Sequence, residues 1–246
     1  MNEGEFLQGD QHKQHISGQF NAELDAMKNH LLEMGGLVEQ QLSRAMASLL
    51  SRDSGQAELV VRADRQINEM ELQIDEECSR ILARRQPAAS DLRLVLAVAK
   101  ATTDLERIGD EATRIAKQAT KLSELPPSTG TSVELRQISK YVALMLREAL
   151  DSFARLDVSK AIDVVLDDGA VDLEYDAAMG SYVRLMKRDP NSISGAVHEM
   201  WALRGLERVG DHATNIAEQV IYLVLGRDVR HMKPGELQTL LKSDEK

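Results

Sequence analysis

An all-α fold built from two copies of one helical unit is what this sequence predicts, and three observations predict it. Hydrophobic residues make up 43% of the 246-residue chain while aromatics make up only 3%. A core of Leu, Val, Ile, Met and Ala, with few rings, suits packed helices. Apolar residues recur at steps of three and four over long stretches, the period of one helix face. Finally, Leu105-Glu106-Arg107-Ile108-Gly109-Asp110 returns 101 residues later as Leu206-Glu207-Arg208-Val209-Gly210-Asp211. Ala112-Thr113 and Ile115-Ala116 return at the same offset as Ala213-Thr214 and Ile216-Ala217. A duplication of this length implies two equivalent units.

The elements follow in order. Residues 1–17 read as a polar, mobile tail that includes His12 and His15. A first helix is expected from about Phe20 to Leu50, stopped by Asp53-Ser54-Gly55. Inside it, Gly35-Gly36 marks a close approach by another helix or a kink. A second helix runs from about Gln56 to Arg85, stopped by Pro87, with Val60, Ala63, Ile67, Met70, Ile74, Cys78 and Ile81 on its seam. The third starts at a Ser90-Asp91 cap and reaches about Leu122. Its seam is Leu94, Val98, Ala101, Leu105, Ile108, Ala112, Ile115, Ala119 and Leu122, a heptad-like alternation of steps. The Pro-, Ser- and Gly-rich stretch after Leu125 separates the units. Beyond it come a fourth helix over about Val133–Leu156, a fifth over Ser159–Arg188 and a sixth over Ser192–Leu225, closed by Gly226. The expected organisation is a tail (1–17), a first three-helix repeat (18–125), a linker (126–132) and a second three-helix repeat (133–246). Long antiparallel helices with short turns make a bundle.

Composition narrows the function. A net charge of −10 repels a phosphate backbone, so no nucleic-acid partner is expected. Cys78 is the one cysteine, which excludes an intramolecular disulfide and places it as a small buried apolar residue. No apolar leader stands at the start, and no run approaches the roughly 18 apolar residues of a membrane span. A cytoplasmic protein is expected. There is no P-loop, no G-x-S-x-G and no nucleophile beside a base, so no enzymatic activity is expected. Met200 and Trp201, just ahead of the second motif, are read as core.

The repeated motif carries the chemistry. Glu106 and Asp110 stand four apart, as do Glu207 and Asp211, so each pair sits side by side on one helix face, with Cβ atoms about 5–6 Å apart. Asp64, Asn68, Glu71 and Asp75 form a second acidic stripe on the preceding helix. Asp168 and Asp172 take the equivalent places in the second repeat, with Val171 standing for Ile67. Carboxylates this close repel unless a cation or an arginine lies between them. A cation reading lets the stripe of Asp64, Asn68, Glu71 and Asp75 converge with Glu106 and Asp110 if the helices pack side by side, and Asp168 and Asp172 with Glu207 and Asp211. All-oxygen ligands suit Mg, Mn or iron. The other reading is a structural network neutralised by Arg107 and Arg208. His212 departs from the first copy, where Glu111 stands, and reads as a surface residue or a tuner of one site.

These residues resemble the PhoU family. The resemblance rests on the duplicated L-E-R-[IV]-G-D helices, on M-G-G-L-V-E-Q-Q-L (Met34 to Leu42), on R-Q-P-A-A-S-D-L-R (Arg85 to Arg93) and on H-I-S-G-Q-F-N-A-E-L (His15 to Leu24). It implies two three-helix bundles related by pseudo-twofold symmetry, commonly in a homodimer. It also implies metal at the E-x-x-x-D motifs, here Glu106 and Asp110, then Glu207 and Asp211, sometimes as iron or Zn clusters, with Asp64 and Asn68, and Asp168 and Asp172, at the matching positions of the second and fifth helices. The implied role is negative regulation of the phosphate-starvation response. In that role the protein couples the high-affinity phosphate transporter, through its ATPase subunit, to a membrane sensor histidine kinase and restrains uptake. The membrane would be reached only through these partners. Arg84, Arg85 and Arg93, near the turn between the second and third helices, are candidates for meeting an acidic partner face.

Overall fold

The computed structural model describes residues 3–126 and 132–244, with side chains over 18–126, 133–237 and 239–240. Its helices are α1 (Glu3–Ser51), α2 (Ser54–Arg85), α3 (Ala89–Ser123), α4 (Ser132–Arg155), α5 (Val158–Arg188), α6 (Ile193–Leu225) and α7 (Pro234–Asp244). A 3-10 turn, Pro190–Ser192, leads into α6. No strand occurs among the described residues. The α1 helix already takes in residues 3–17, where a tail is expected; His12 and His15 lie outside the described side chains, as does most of the linker.

The duplication is visible in local chemistry. Asp53 caps α2 by accepting from the Gln56 amide at 3.0 Å, and Asp157 caps α5 by accepting from the Lys160 amide at 3.0 Å. Just ahead of these caps, Arg52 and Leu156 both hold left-handed backbone, φ 54° and 56°. Each reverses the chain tightly enough for a short turn. The expected Ser90-Asp91 cap is not formed: Ala88 occupies the cap position with no side-chain bond, and Asp91 lies in the first turn of α3. There its charge still favours the positive end of the helix dipole.

The first three helices pack on one another, as do α4, α5 and α6, and α3 lies along α6 to join the units. α3 and α6 therefore meet neighbours on several sides, and their sequences answer with small residues. Ala97, Ala101, Ala112 and Ala116 are fully buried on α3, as are Ala202, Ala213 and Ala217 on α6. Gly205 lets the two helices approach, since a Cβ there would stand 3.1 Å from Ile115 Cγ1. The buried apolar residues of both repeats form one continuous core. Among the expected seam residues, Ile67, Ile74, Cys78 and Ile81 are buried, which agrees with the apolar reading of Cys78.

Of the glycine pair in α1, Gly35 makes the close approach. A Cβ on it would stand 2.6 Å from Leu150 Cδ2 of α4, whereas Gly36 faces open space. Helix α7 has no counterpart in the expected layout. It is too short to show periodicity, but Pro234 begins it, the Lys233 amide donates to Glu236 Oε2 at 2.9 Å, and Leu237 and Leu240 are buried. No helix among the described residues is long and apolar enough to cross a membrane.

Candidate functional site

In the first repeat α2 and α3 lie side by side, and their acidic stripes face one seam. The glycine of the motif makes this possible. Gly109 backs onto α2 so closely that a Cβ would stand 3.3 Å from Ile67 Cδ1, and Gly210 backs onto Val171 of α5, where the same atom would stand at 3.5 Å. Gly109 thereby brings the carboxylates flanking it next to those of α2, whereas at Gly210 a methyl group would make an ordinary contact with α5.

Glu106 and Asp110 on α3 and Asp64 and Glu71 on α2 feel one another's charge. Partial desolvation, then repulsion from Asp110 and Asp64, holds the Glu106 carboxyl above the usual range. Glu71 is raised by desolvation and by Glu106, Asp75 and Asp110. Asp64 is steered from α1: Gln41 Nε2 donates to Asp64 Oδ1 at 3.1 Å and lies 3.3 Å from Thr113 Oγ1. Asn68 is exposed beside them.

The second site is built from α5 and α6. Thr214 Oγ1 donates to Asp168 Oδ1 at 3.0 Å. Burial raises the Asp168 carboxyl, with Asp172 adding to it, against the Thr214 hydrogen bond. Glu207 is raised by desolvation and then by Asp211 and Asp172, and Asp211 by desolvation and then by Asp168 and Asp172. The four expected positions of this repeat are thus brought together electrostatically. Glu207 Oε1 receives Arg204 Nη1 at 2.6 Å, while Glu207 Oε2 is buried and has no hydrogen-bond partner.

Arginines reach both sites, though not only those expected. Arg107 Nε lies 3.7 Å from Glu106 Oε2, and Arg114 Nη2 lies 3.6 Å from Asp110 Oδ2. Arg208 turns away from its own motif: its Nη1 is 2.5 Å from Glu111 Oε1 on α3. Its place beside Glu207 is taken by Arg204. The substitution of Glu111 by His212 explains the asymmetry. His212 is not a surface residue; its Nδ1 lies 2.9 Å from Asp104 Oδ1 at the α3–α6 contact.

As a test for a cation, the donor set is suitable: carboxylate oxygens under mutual repulsion, plus one buried oxygen without a partner. The side chains are not closed around a common point, and among the described residues no three His, Cys, Asp or Glu stand in a metal-holding group. Gln41, Thr113, Thr214, Arg114 and Arg204 belong to the sites without having been singled out. The threonines carry a sequence signal, the repeat itself, whereas Gln41 lies within the Met34 to Leu42 run but comes from a helix far off in sequence, so its spacing gives no sign of this contact.

The three arginines near the α2–α3 turn have different fates. Arg85 forks onto Glu23 with contacts of 2.9 and 2.7 Å. Arg93 Nε donates to the Leu223 carbonyl at 3.0 Å, tying α3 to the end of α6. Arg84 is exposed. Trp201 is also not core: it is 64% exposed.

The PhoU domain model matches residues 31–119 and 135–220, one match per repeat. The chain is 56% identical over 218 residues to the phosphate-specific transport system accessory protein PhoU homolog of Pseudomonas putida, covering 89% of this chain and 85% of that one. It is 41% identical over 228 residues to the phosphate-specific transport system accessory protein PhoU of Escherichia coli (strain K12), covering 92% and 94%. A crystal structure of PhoU from Pseudomonas aeruginosa superposes with a TM-score of 0.83 at 54% identity, over 85% of this chain and all of that one. The phosphate transport system regulatory protein PhoU from Streptococcus pneumoniae gives 0.79 at 34% identity, over 85% and 99%.

Proposed function

This chain belongs to the PhoU family, and from that premise we propose that it is an accessory component of a phosphate-specific transport system that regulates phosphate transport. The observation that carries the reading is that both repeats match the family, over nearly the whole length of relatives named for that role. The finer reading is negative regulation from the cytoplasmic side. The protein contacts the ATPase subunit of the phosphate transporter and a sensor histidine kinase, and holds the starvation response off when phosphate is abundant. Its relatives are named as accessory and regulatory proteins, which supports action by contact and not by catalysis.

The acidic seams serve this role as cation sites. Asp64, Asn68, Glu106 and Asp110 would hold an ion in the first repeat, and Asp168, Asp172, Glu207 and Asp211 in the second. A bound cation of the Mg, Mn, Fe or Zn type would supply charge neutralisation and open coordination positions. The chain's own part is to steer oxygens: Gln41 orients Asp64, and Thr214 orients Asp168. Without a cation the strips repel phosphate, so phosphate status would arrive through a partner or through the ion.

The test is deletion and complementation in the native host under abundant phosphate, with co-purification of the kinase and the transporter ATPase subunit. Loss of the gene should raise phosphate uptake and switch on starvation-induced phosphatase, and the wild-type chain should reverse both. Unchanged uptake and phosphatase after deletion would sink the proposal.

A further inference from the structure

The duplication supplies an internal control, because each place in the second repeat has a counterpart that solves the same packing problem. Between α2 and α5 the counterparts lie 104 residues apart, as Asp64 and Asp168 do, and between α3 and α6 they lie 101 apart. On one face of the second repeat the two copies diverge in a single direction. Tyr175, Met179 and Val183 of α5 stand where α2 carries Glu71, Asp75 and Ser79; Met200 and Trp201 of α6 stand where α3 carries Ala99 and Lys100. Polar or small residues satisfy the fold at these places in the first repeat; in the second, Tyr175, Met179 and Met200 are half-buried against the core, whereas Val183 and Trp201 are left exposed.

Their disposition agrees. Trp201 is 64% exposed, Val183 is 41% exposed, and Tyr175, Met179, Val197, Met200, Trp201 and Arg204 line one open groove between α5 and α6. In the first repeat Lys100 instead lies over the Tyr222 ring, 5.6 Å from its centroid. A large exposed indole among methionines on a chain with few aromatics is a typical anchor for a partner. Met side chains adapt to a varied apolar face.

The edge of the groove defines the partner's charge. Tyr175 is one turn from Asp172 on α5, and Arg204 is one turn from Glu207 on α6. Arg204, 5.9 Å from the Tyr175 ring centroid, is already committed to Glu207. The groove thus runs into the second acidic site, with exposed Asp176 next to Tyr175 on α5. A second copy would bring another chain of net charge −10 to this acidic face. We propose that the α5–α6 groove centred on Trp201 docks a basic amphipathic helix of a partner protein, its apolar face on Trp201, Met179 and Met200 and its Lys or Arg residues on the exposed Asp172 and Asp211, in competition with a cation at that seam. This rests on the reading of the protein as one that acts by contact, and it locates that contact.

Trp201 is the only tryptophan, so its emission reports on the groove alone. The probe is a synthetic Leu/Lys amphipathic peptide without aromatic residues, and the control is its Leu/Glu counterpart. The Leu/Lys peptide should shift Trp201 emission to the blue and saturate; the Leu/Glu peptide should not. By anisotropy of labelled peptide, Trp201→Lys, which installs the first repeat's residue at an exposed position, should weaken binding about tenfold or more with unchanged melting. Four results overturn the proposal: unaltered emission at saturating peptide, equal affinity for Trp201→Lys, an emission shift with anionic phospholipid vesicles but not peptide, or a shift on raising protein concentration alone. If the peptide engages Trp201 while kinase and ATPase subunit fail to co-purify with the wild-type chain, the accessory reading fails and the groove stands. If both co-purify equally with wild type and Trp201→Lys, the groove fails and the accessory reading stands.

Discussion

Arg208 of α6 reaches across the junction of the two repeats to Glu111 of α3, with Nη1 2.5 Å from Oε1, and Arg114 Nη1 meets the same oxygen at 2.5 Å. The Glu111 side chain is 4% exposed, whereas the arginines keep 38% and 50% of their surface in solvent. Removing the carboxylate leaves two cations that can turn to water; removing Arg208 leaves Arg114 on Glu111. Glu111→Ala should therefore destabilise by about 2 kcal/mol and Arg208→Ala by about 1 kcal/mol or less. Urea unfolding measures both, and the reverse order would contradict this account.

The motif glycines are not equivalent. A Cβ at Gly109 would lie 3.2 Å from Gln41 Oε1 and 3.3 Å from Ile67 Cδ1, but one at Gly210 would find nothing closer than 3.5 Å. Alanine gains about 1 kcal/mol of helix propensity over glycine at either place. Gly210→Ala should raise the melting temperature by a few degrees. Gly109→Ala should lose that gain by displacing Gln41, and should also disturb the Gln41–Asp64 hydrogen bond.

Leu156 is exposed and held at φ 56°, where an L-residue with a bulky side chain is strained. Leu156→Asn should stabilise by about 0.5–1 kcal/mol in thermal unfolding. At Arg52, its counterpart with φ 54°, the side chain donates to the Pro126 carbonyl at 3.0 Å. Arg52→Asn should therefore bring no gain.

Glu218 is buried on α6, and desolvation raises its carboxyl from 4.5 to about 7. Between those values the folded chain holds a proton that the unfolded chain has released, so stability falls as pH rises through this window and levels off above it. Glu218→Gln cannot ionise. The difference in stability between variant and wild type should grow in the variant's favour from pH 4.5 towards pH 7. A difference that stays flat over that range would exclude the linkage.

Crowded carboxylates cost stability until a cation binds. Asp211→Asn should raise the melting temperature of metal-free protein, because it relieves repulsion with Asp168 and Asp172. The same substitution should abolish any stabilisation that Mn or Mg confers on the second repeat. Calorimetry should detect no phosphate binding to the metal-free wild type.

Much of this architecture was legible before any tertiary contact was known. The three- and four-residue apolar steps place six long helices, because burying one face of a helix leaves that period in the chain. The repeated Leu-Glu-Arg motif identifies the duplication and puts each Glu and Asp on a shared face, because residues four apart on a helix are neighbours. Helix α7 escaped notice because two buried leucines make no period. Trp201 was misplaced because a ring within an apolar stretch reads as core, and only the packing of α5 on α6 shows which face is left over.

The repeated L-E-R-[IV]-G-D motif determined by itself that there are two carboxylate strips, since helical spacing is local chemistry. Which groups those strips meet was decided by the tertiary structure. Gln41 reaches Asp64 from α1, Arg208 leaves its own Glu207 for Glu111, and His212 finds Asp104. These partners lie on helices far apart in sequence, and only close packing of α3 on α6 brings them within hydrogen-bond range.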